Sequence, residues 1–113
     1  MAVVKRYCGP NLYEIRDGKM KDYCGPYTFE FSVDRVKRYC GPYIFEFNGN
    51  VIKEYCGRAL LEFDGRYIKR YCGPILYEWD GQRIKQYCGP YMYEISGGIT
   101  HFELMGLIAV LFA

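Results

Sequence analysis

Hydrophobic and polar positions along this chain repeat with a period of sixteen residues. Each unit has an alternating segment rich in aromatic and β-branched residues, a turn, and a shorter alternating segment, as in residues 75–79 and 83–87. The units are joined by Tyr-Cys-Gly-Pro, which starts at positions 7, 23, 39, 71 and 87, and by Tyr-Cys-Gly-Arg at position 55. A fixed period across nearly the whole chain indicates a repeat architecture.

Each repeat is predicted to be one β-hairpin. Aromatic and β-branched residues favour strands, and Gly-Pro ends the second strand of most units. Between the strands stand pairs typical of tight hairpin turns, namely Asn48-Gly49, Asp64-Gly65 and Asp80-Gly81. In the first repeat Asp17-Gly18 falls one position later, and in the second Ser32-Val33-Asp34 lacks glycine, so we expect looser turns there.

The turn length decides which side chains share a face of the hairpin. With a two-residue loop at Asp80-Gly81, Trp79 lies opposite Gln82. Tyr77 then lies opposite Ile84, so Tyr77, Trp79 and Ile84 form the core face. The other face carries Leu76, Glu78, Lys85 and Tyr87. Loops of even length keep this parity, so a four-residue turn gives the same two faces.

The sixth repeat is incomplete, and the start of the chain contains what it lacks. Its first strand, residues 91–95, is intact, but residues 96–101 lack the expected Lys and Tyr. Residues 1–7 match the missing second half, with Val4 at the position of Ile84. We therefore predict that six 16-residue hairpins close radially into a ring, which also removes exposed strand edges.

After the repeats, residues 102–113 are apolar apart from Glu103, which predicts a short helix. The part from Leu104 spans about 15 Å, about half the hydrocarbon thickness of a bilayer, so a transmembrane span is disfavoured. A helix without a polar face belongs in an interior, and we place it on the axis of the ring; a membrane or partner contact is the alternative. The prediction is one all-β domain with a C-terminal helix: a closing half-repeat (1–7), hairpin repeats (7–101) and the helix (102–113).

Composition excludes several classes of protein. With 113 residues, half of them hydrophobic, the chain is long enough for one folded domain and is not typical of disorder. Fifteen basic and thirteen acidic residues give a net charge of +2 without a basic patch, so we expect no nucleic-acid partner. The start has no apolar signal-peptide core, which indicates a cytoplasmic protein.

The six cysteines, one in each repeat, lack the paired spacing of zinc knuckles. We expect reduced, half-buried thiols, because a free Cys packs as a small hydrophobic side chain. On a closed ring the thiols would lie on one circle, where close neighbours would bind a soft metal or form disulfides. The residues of that weaker alternative are Cys24, Cys40, Cys56 and Cys72.

Every repeat also has one Glu and one Lys at fixed positions. We predict a ladder of cross-strand ion pairs, each contributing about 0.2–1 kcal/mol if exposed. The predicted structural pairs are Glu62 with Lys69, Glu78 with Lys85 and, across the closing joint, Glu94 with Lys5. The alternative is a charged ring that faces a solvent channel and binds small ions.

Tyrosines at the strand ends are the candidate ligand-binding residues. Together with Tyr27, Tyr43 and Tyr91 they would form shallow clefts between hairpins, of the kind that hold sugars or quaternary amines. A structural role competes with this interpretation, because Tyr at a strand end commonly packs in the core with its hydroxyl in water. The candidate residues are Tyr23, Tyr39, Tyr55, Tyr71 and Tyr87.

No catalytic arrangement is visible in the sequence. His101 is the only His and falls where the repeat pattern ends, which indicates a linker residue. The glycines recur as turns and form no phosphate-binding loop. We therefore expect neither an enzyme nor a cofactor.

Residues 60–69 and 76–85 share aromatic or aliphatic positions, Asp-Gly and then Ile-Lys, and an apolar tail follows from Phe102. In these features the chain resembles small bacterial β-flower proteins, which are built of tandem hairpins. The resemblance covers essentially the whole chain and implies a radial hairpin fold, with no particular activity. Those proteins are described as four-fold, whereas this chain has six units.

Three functional hypotheses follow. The first is a non-enzymatic structural or protein-interaction module, and the second is a glycan- or amine-binding module that uses the Tyr clefts. The third is a membrane-active protein that acts through residues 102–113. Homo-oligomers are also open, either through the apolar C-terminus or through exchange of residues 1–7 between neighbouring molecules.

Overall fold

The computed structural model, which describes residues 2–113, is a closed antiparallel β-barrel of twelve strands with one C-terminal helix. Because the strands have only four to seven residues, the molecule is a disc of 36 × 36 × 17 Å. The elements are β1 (Ala2–Arg6), β2 (Asn11–Arg16), β3 (Lys19–Asp22), β4 (Tyr27–Phe31), β5 (Arg35–Arg38), β6 (Tyr43–Asn48), β7 (Val51–Glu54), β8 (Ala59–Phe63), β9 (Tyr67–Arg70), β10 (Ile75–Trp79), β11 (Arg83–Gln86), β12 (Tyr91–Gly97) and α1 (His101–Phe112).

The predicted closure by the start of the chain is confirmed. β1 pairs with β12 on one side and with β2 on the other, so Val4 lies opposite both Ile95 and Tyr13. Every described strand therefore has two neighbours, and the described sheet has no free edge.

The inner wall of the barrel is lined by equivalent residues of the six repeats. One ring of six is completely buried and consists of Val4, Met20, Val36, Ile52, Ile68 and Ile84. The residues paired with it across the strands are mostly aromatic and include Phe31, Phe63 and Trp79. The two-residue period of the strands turns these side chains inward and the intervening charged ones outward.

The C-terminal helix fills the interior, as predicted. A barrel of about eight strands is just wide enough for its own side chains, so twelve strands leave space that needs a further element. In α1, residues 103–109 are buried. Its twelve residues span about 18 Å, which matches the 17 Å thickness of the disc. The helix begins one residue earlier than predicted, so His101 is a helical residue and not a linker.

Of the two loop lengths considered at Asp80-Gly81, the structure has the four-residue turn. Trp79 lies opposite Ile84, and Tyr77 lies opposite Gln86. The turn has four residues because the Asp80 carboxylate accepts the backbone N–H groups of the two residues after Gly81. Since the shift is an even number of residues, the parity of the predicted faces holds for Trp79 and Ile84.

The looser turns expected in the first two repeats are not found. Asp17 and Gly18 both have positive φ, 52° and 75°, and form a two-residue hairpin loop. In the second repeat the Ser32 N–H donates to the Arg35 carbonyl at 2.8 Å, and the equivalent residues of the fourth and fifth repeats form the same bond.

A register shift interrupts the pairing between each hairpin and the next. In β10 the shift leaves Leu76 as the extra residue, and Leu76 packs against the core. The prediction that Leu76 shares the outer face with Glu78 is therefore wrong. The same bulge in β6 places Tyr43 opposite Lys37, so the bulges bring tyrosines to the outer wall.

Candidate functional site

The two faces of the disc differ in composition. One face, which we call the cysteine face, carries the six Tyr-Cys-Gly turns and the end of α1, where the Phe112 ring stacks on Tyr77 at 4.0 Å. The other, which we call the aspartate face, carries the turns inside the hairpins and the start of α1. Nine tyrosines at or beside the cysteine face are 38–49% exposed, and they are Tyr7, Tyr23, Tyr27, Tyr39, Tyr43, Tyr55, Tyr71, Tyr87 and Tyr91.

Each Tyr-Cys-Gly segment forms a tight turn with an unusual residue in it. In the first copy the Gly9 N–H donates to the Arg6 carbonyl at 2.9 Å, so Tyr7 and Cys8 are the central residues. Cys8 has φ 56°, and all six cysteines have φ between 54° and 57°. Glycine is the usual residue at a turn position with positive φ, because it has no Cβ. The six repeats thus place a thiol where the backbone favours glycine.

The expectation of half-buried thiols is wrong. All six cysteines are free and exposed, because the turn directs them away from the wall. Equivalent residues of neighbouring repeats are two strands apart, and a strand spacing of about 4.8 Å makes their Cα–Cα distance at least about 10 Å, beyond disulfide reach. Among residues 2–113, no three His, Cys, Asp or Glu side chains are close enough to hold a metal ion. The structure therefore does not bring the residues of the weaker metal alternative into such a group; they are Cys24, Cys40, Cys56 and Cys72.

On the outer wall the structure pairs the Glu and Lys of each repeat. Lys5 Nζ lies 3.4 Å from Glu94 Oε1 across the closing joint. The pairs Glu62–Lys69 and Glu78–Lys85 both measure 3.8 Å, and each pair stands directly opposite in the register. The side chains are partly exposed, so each pair contributes at most about 1 kcal/mol.

The wall carboxylates have a second role in the turns. The Cys56 N–H donates to Glu46 Oε1 at 2.8 Å, and the Cys72 N–H donates to Glu62 Oε1 at 3.1 Å. Hydrogen bonds to an ionised acceptor are stronger than neutral ones. In these repeats one carboxylate therefore joins a lysine of the wall to the backbone of the cysteine turn.

Tyrosines stack in pairs on the outer wall and are covered by a cation. The ring centroids of Tyr43 and Tyr55 are 5.2 Å apart, and the Arg35 guanidinium lies 5.2 Å from Tyr43 and 6.0 Å from Tyr55. On the opposite side of the ring, Arg83 lies in the same way over Tyr91 and over Tyr7, whose ring is tilted by 34° against that of Tyr91. Cation–π contacts of this kind contribute about 0.5–1 kcal/mol at exposed sites.

A repeat has the basic residue only where it also has a tyrosine eight positions later. Three repeats have a basic residue followed eight positions later by Tyr, and these pairs are Lys19 with Tyr27, Arg35 with Tyr43 and Arg83 with Tyr91. The other three have neither, and their pairs are Val3 with Asn11, Val51 with Ala59 and Tyr67 with Ile75. The six repeats therefore indicate that the contact between cation and ring is a single structural unit.

The candidate ligand-binding tyrosines do not come together in one site. They stand one to a repeat around the ring; Tyr39 and Tyr55 each stack on another tyrosine, while Tyr87 meets Tyr67 edge to face at 6.0 Å. Among the ring contacts of residues 2–113, none involves Tyr23 or Tyr71. A centroid distance of 5.2 Å is direct contact, so a stacked pair has no space for a sugar ring between its members.

The residue that attaches the helix to the wall was not predicted from the sequence. Glu103 is 7% exposed; its Oε2 accepts the Gly18 N–H at 2.9 Å, and its Oε1 accepts the Thr100 N–H at 3.0 Å and the Thr100 hydroxyl at 2.9 Å. Burial raises the pKa of Glu103, but these hydrogen bonds outweigh burial and leave the pKa below its ordinary value. The signal was Thr-x-x-Glu before the apolar run, which is typical of a helix start.

No helix in residues 2–113 is long and apolar enough to cross a membrane. No family model matches the chain. Comparison with curated proteins and with solved structures found no similar protein.

Proposed function

We propose that this protein is a non-enzymatic interaction module that binds a protein partner through its cysteine face. The observation that carries the proposal is the set of nine tyrosines, each 38–49% exposed, at or beside one face of a disc. Tyr and Arg are enriched at protein interfaces, where a rigid aromatic ring buries a large area at a small entropic cost.

The rest of the surface supports the same choice of face. On the outer wall each repeat Glu is paired with a Lys, so these charges are already neutralised within the chain. On the aspartate face the one large exposed hydrophobic residue in the described chain is Val33. The resemblance to β-flower proteins concerns the fold and names no partner.

The test compares two variants for the proteins that they retain from a lysate. Tyr23→Asp with Tyr71→Asp alters the cysteine face at residues without ring contacts, so we expect the fold to persist and the retained partner to be lost. The matched control is Val33→Asp on the aspartate face, which should retain the same partner as the unmodified protein. Equal retention by the two variants would contradict the proposed face.

A further inference from the structure

Six side chains surround the barrel mouth at the cysteine face, and three basic residues alternate around it with two acidic residues and one Gln. They immediately precede the Tyr of each turn, and in ring order they are Arg6, Asp22, Arg38, Glu54, Arg70 and Gln86. Each lies directly across the sheet from an inward-facing residue, as Arg38 does from Phe29 and Glu54 from Phe45. Directly opposed residues share a face of the sheet, so these six side chains, which we call the mouth ring, stand on the axial side of the wall.

The charges of the mouth ring are not used within the chain. All six residues are exposed, and none of the ion pairs that the structure shows among residues 2–113 includes one of them. The wall, by contrast, pairs its Glu and Lys in every repeat. A set of exposed, unpaired charges beside an aromatic face is available to a partner.

An alternating ring of this kind is complementary to itself. A two-fold axis in the plane of the disc, passing between two neighbouring hairpins, places odd-numbered hairpins of one copy against even-numbered hairpins of the other. Each basic position of the mouth ring then faces an acidic position or Gln86, and no two like charges of the ring meet.

We propose that the partner at the cysteine face is a second copy of this chain, bound face to face about such an axis. This proposal rests on the proposed function and names the partner. A disc 36 Å across has a face of about 1,000 Å², and a stable interface needs about 800 Å² from each partner. The face is thus large enough for a specific dimer.

In the face-to-face dimer, the exposed thiols of the two copies can form interchain disulfides. The six exposed thiols stand one to a repeat on this face, so face-to-face docking places the thiol-bearing turns of one copy against those of the other. A small-molecule disulfide such as oxidised glutathione can then join their thiols by exchange. Two protein thiols and one glutathione disulfide give one interchain disulfide and two glutathione thiols, so the small disulfide takes both electrons and both protons.

The decisive experiment is charge complementation, measured by sedimentation velocity with reductant present at about 1–100 µM chain. The first variant carries Arg6→Glu, Arg38→Glu and Arg70→Glu and has an acidic mouth ring. The second carries Asp22→Arg and Glu54→Arg and has a basic one. We expect the unmodified chain to sediment at twice 13.3 kDa, each variant alone to self-associate at least about 100-fold more weakly, and their mixture to form a heterodimer.

The control is Asp34→Arg, an exposed charge reversal on the aspartate face, which should dimerise as the unmodified chain does. Circular dichroism melting confirms that each variant folds. A second readout is oxidised glutathione, which should give a reducible covalent dimer with the unmodified chain and with the mixture, but not with the acidic variant alone.

Three outcomes would overturn the dimer: a monomer at every concentration, a dimer that the charge reversals leave unchanged, or a dimer lost equally in the control. If the unmodified chain is monomeric while the tyrosine variant still loses a captured partner, the interaction module stands and the second copy is wrong. If neither variant set has any effect, both proposals fail.

Discussion

At the scale of single residues, each Tyr-Cys-Gly turn holds its cysteine in an unfavourable backbone conformation with positive φ. A residue other than glycine in the left-handed region destabilises the fold by about 1 kcal/mol. All six cysteines have this conformation. Bonds such as that from the Cys56 N–H to Glu46 offset part of this destabilisation. Burial does not account for the thiols, because all six cysteines are exposed.

The first prediction concerns Glu103, whose carboxylate connects α1 to the Gly18 turn. Replacing it by Gln keeps one acceptor but removes the charge from a buried site, so we expect Glu103→Gln to destabilise the fold by about 1–3 kcal/mol at pH 7. The sign of the pH effect follows from the lowered pKa of Glu103 in the folded state. Its contribution is complete above the ordinary carboxyl pKa and disappears as the pH falls through the folded-state value.

Urea unfolding between neutral and acidic pH measures this effect. The difference in unfolding free energy between the unmodified chain and Glu103→Gln should shrink as the solution becomes acidic. Glu14→Gln, which alters a partly exposed wall pair, is the control and should cost less than about 1 kcal/mol. A pH-independent difference between Glu103→Gln and the unmodified chain would contradict the assignment.

At the scale of elements, the hairpins were predictable and their registers were not. Alternation and Asp-Gly pairs located the strands, but Asp80 bonds to the backbone after Gly81 and lengthens the turn, so Trp79 meets Ile84. Nothing in the alternation around Leu76 marks the bulge that turns it toward the core. The tyrosine pairs of the candidate site depend on those bulges, so their stacking could not be read from the repeat alone.

The approach of α1 to the wall gives the second prediction. A Cβ on Gly106 would lie 2.6 Å from Cδ1 and 2.7 Å from Cγ of Phe31. Gly→Ala inside a helix normally stabilises it by about 1 kcal/mol, but overpacking costs about 1–3 kcal/mol. We expect Gly106→Ala to lower the melting temperature, and Gly98→Ala, which meets no atom within 4 Å, to have little effect.

A double-mutant cycle identifies the clashing partner. In a Phe31→Leu background the ring is absent, so Gly106→Ala should cost less than it does in the unmodified chain, with a coupling of at least about 0.5 kcal/mol. Additive costs would show that the helix does not approach Phe31 as closely as the structure indicates.

At the scale of the whole molecule, the sequence was sufficient to predict the closed ring. The repeat that lacks a strand stands at one end and the unmatched strand at the other, so one pairing completes both. The sequence was also sufficient to show that neighbouring cysteines cannot form disulfides, because two strands per repeat separate them by at least about 10 Å. The alternating mouth ring needed the structure, since only the register places Arg38 and Glu54 on the axial side of the wall.

Closure gives the last prediction, for which β1 provides a matched pair of substitutions. Val4 is completely buried between β2 and β12, whereas Val3 stands on the outer wall opposite Glu14 and Ser96. Val4→Asp places an unpaired carboxylate in the core, where burial of a charge costs several kcal/mol, so β1 should leave the barrel. Val3→Asp makes the same chemical change on the outer face, where the carboxylate stays in water. Amide hydrogen exchange should then accelerate in β2 and β12 for Val4→Asp alone, because both strands lose a neighbour. Equal protection in the two variants would mean that β1 does not hold the ring closed.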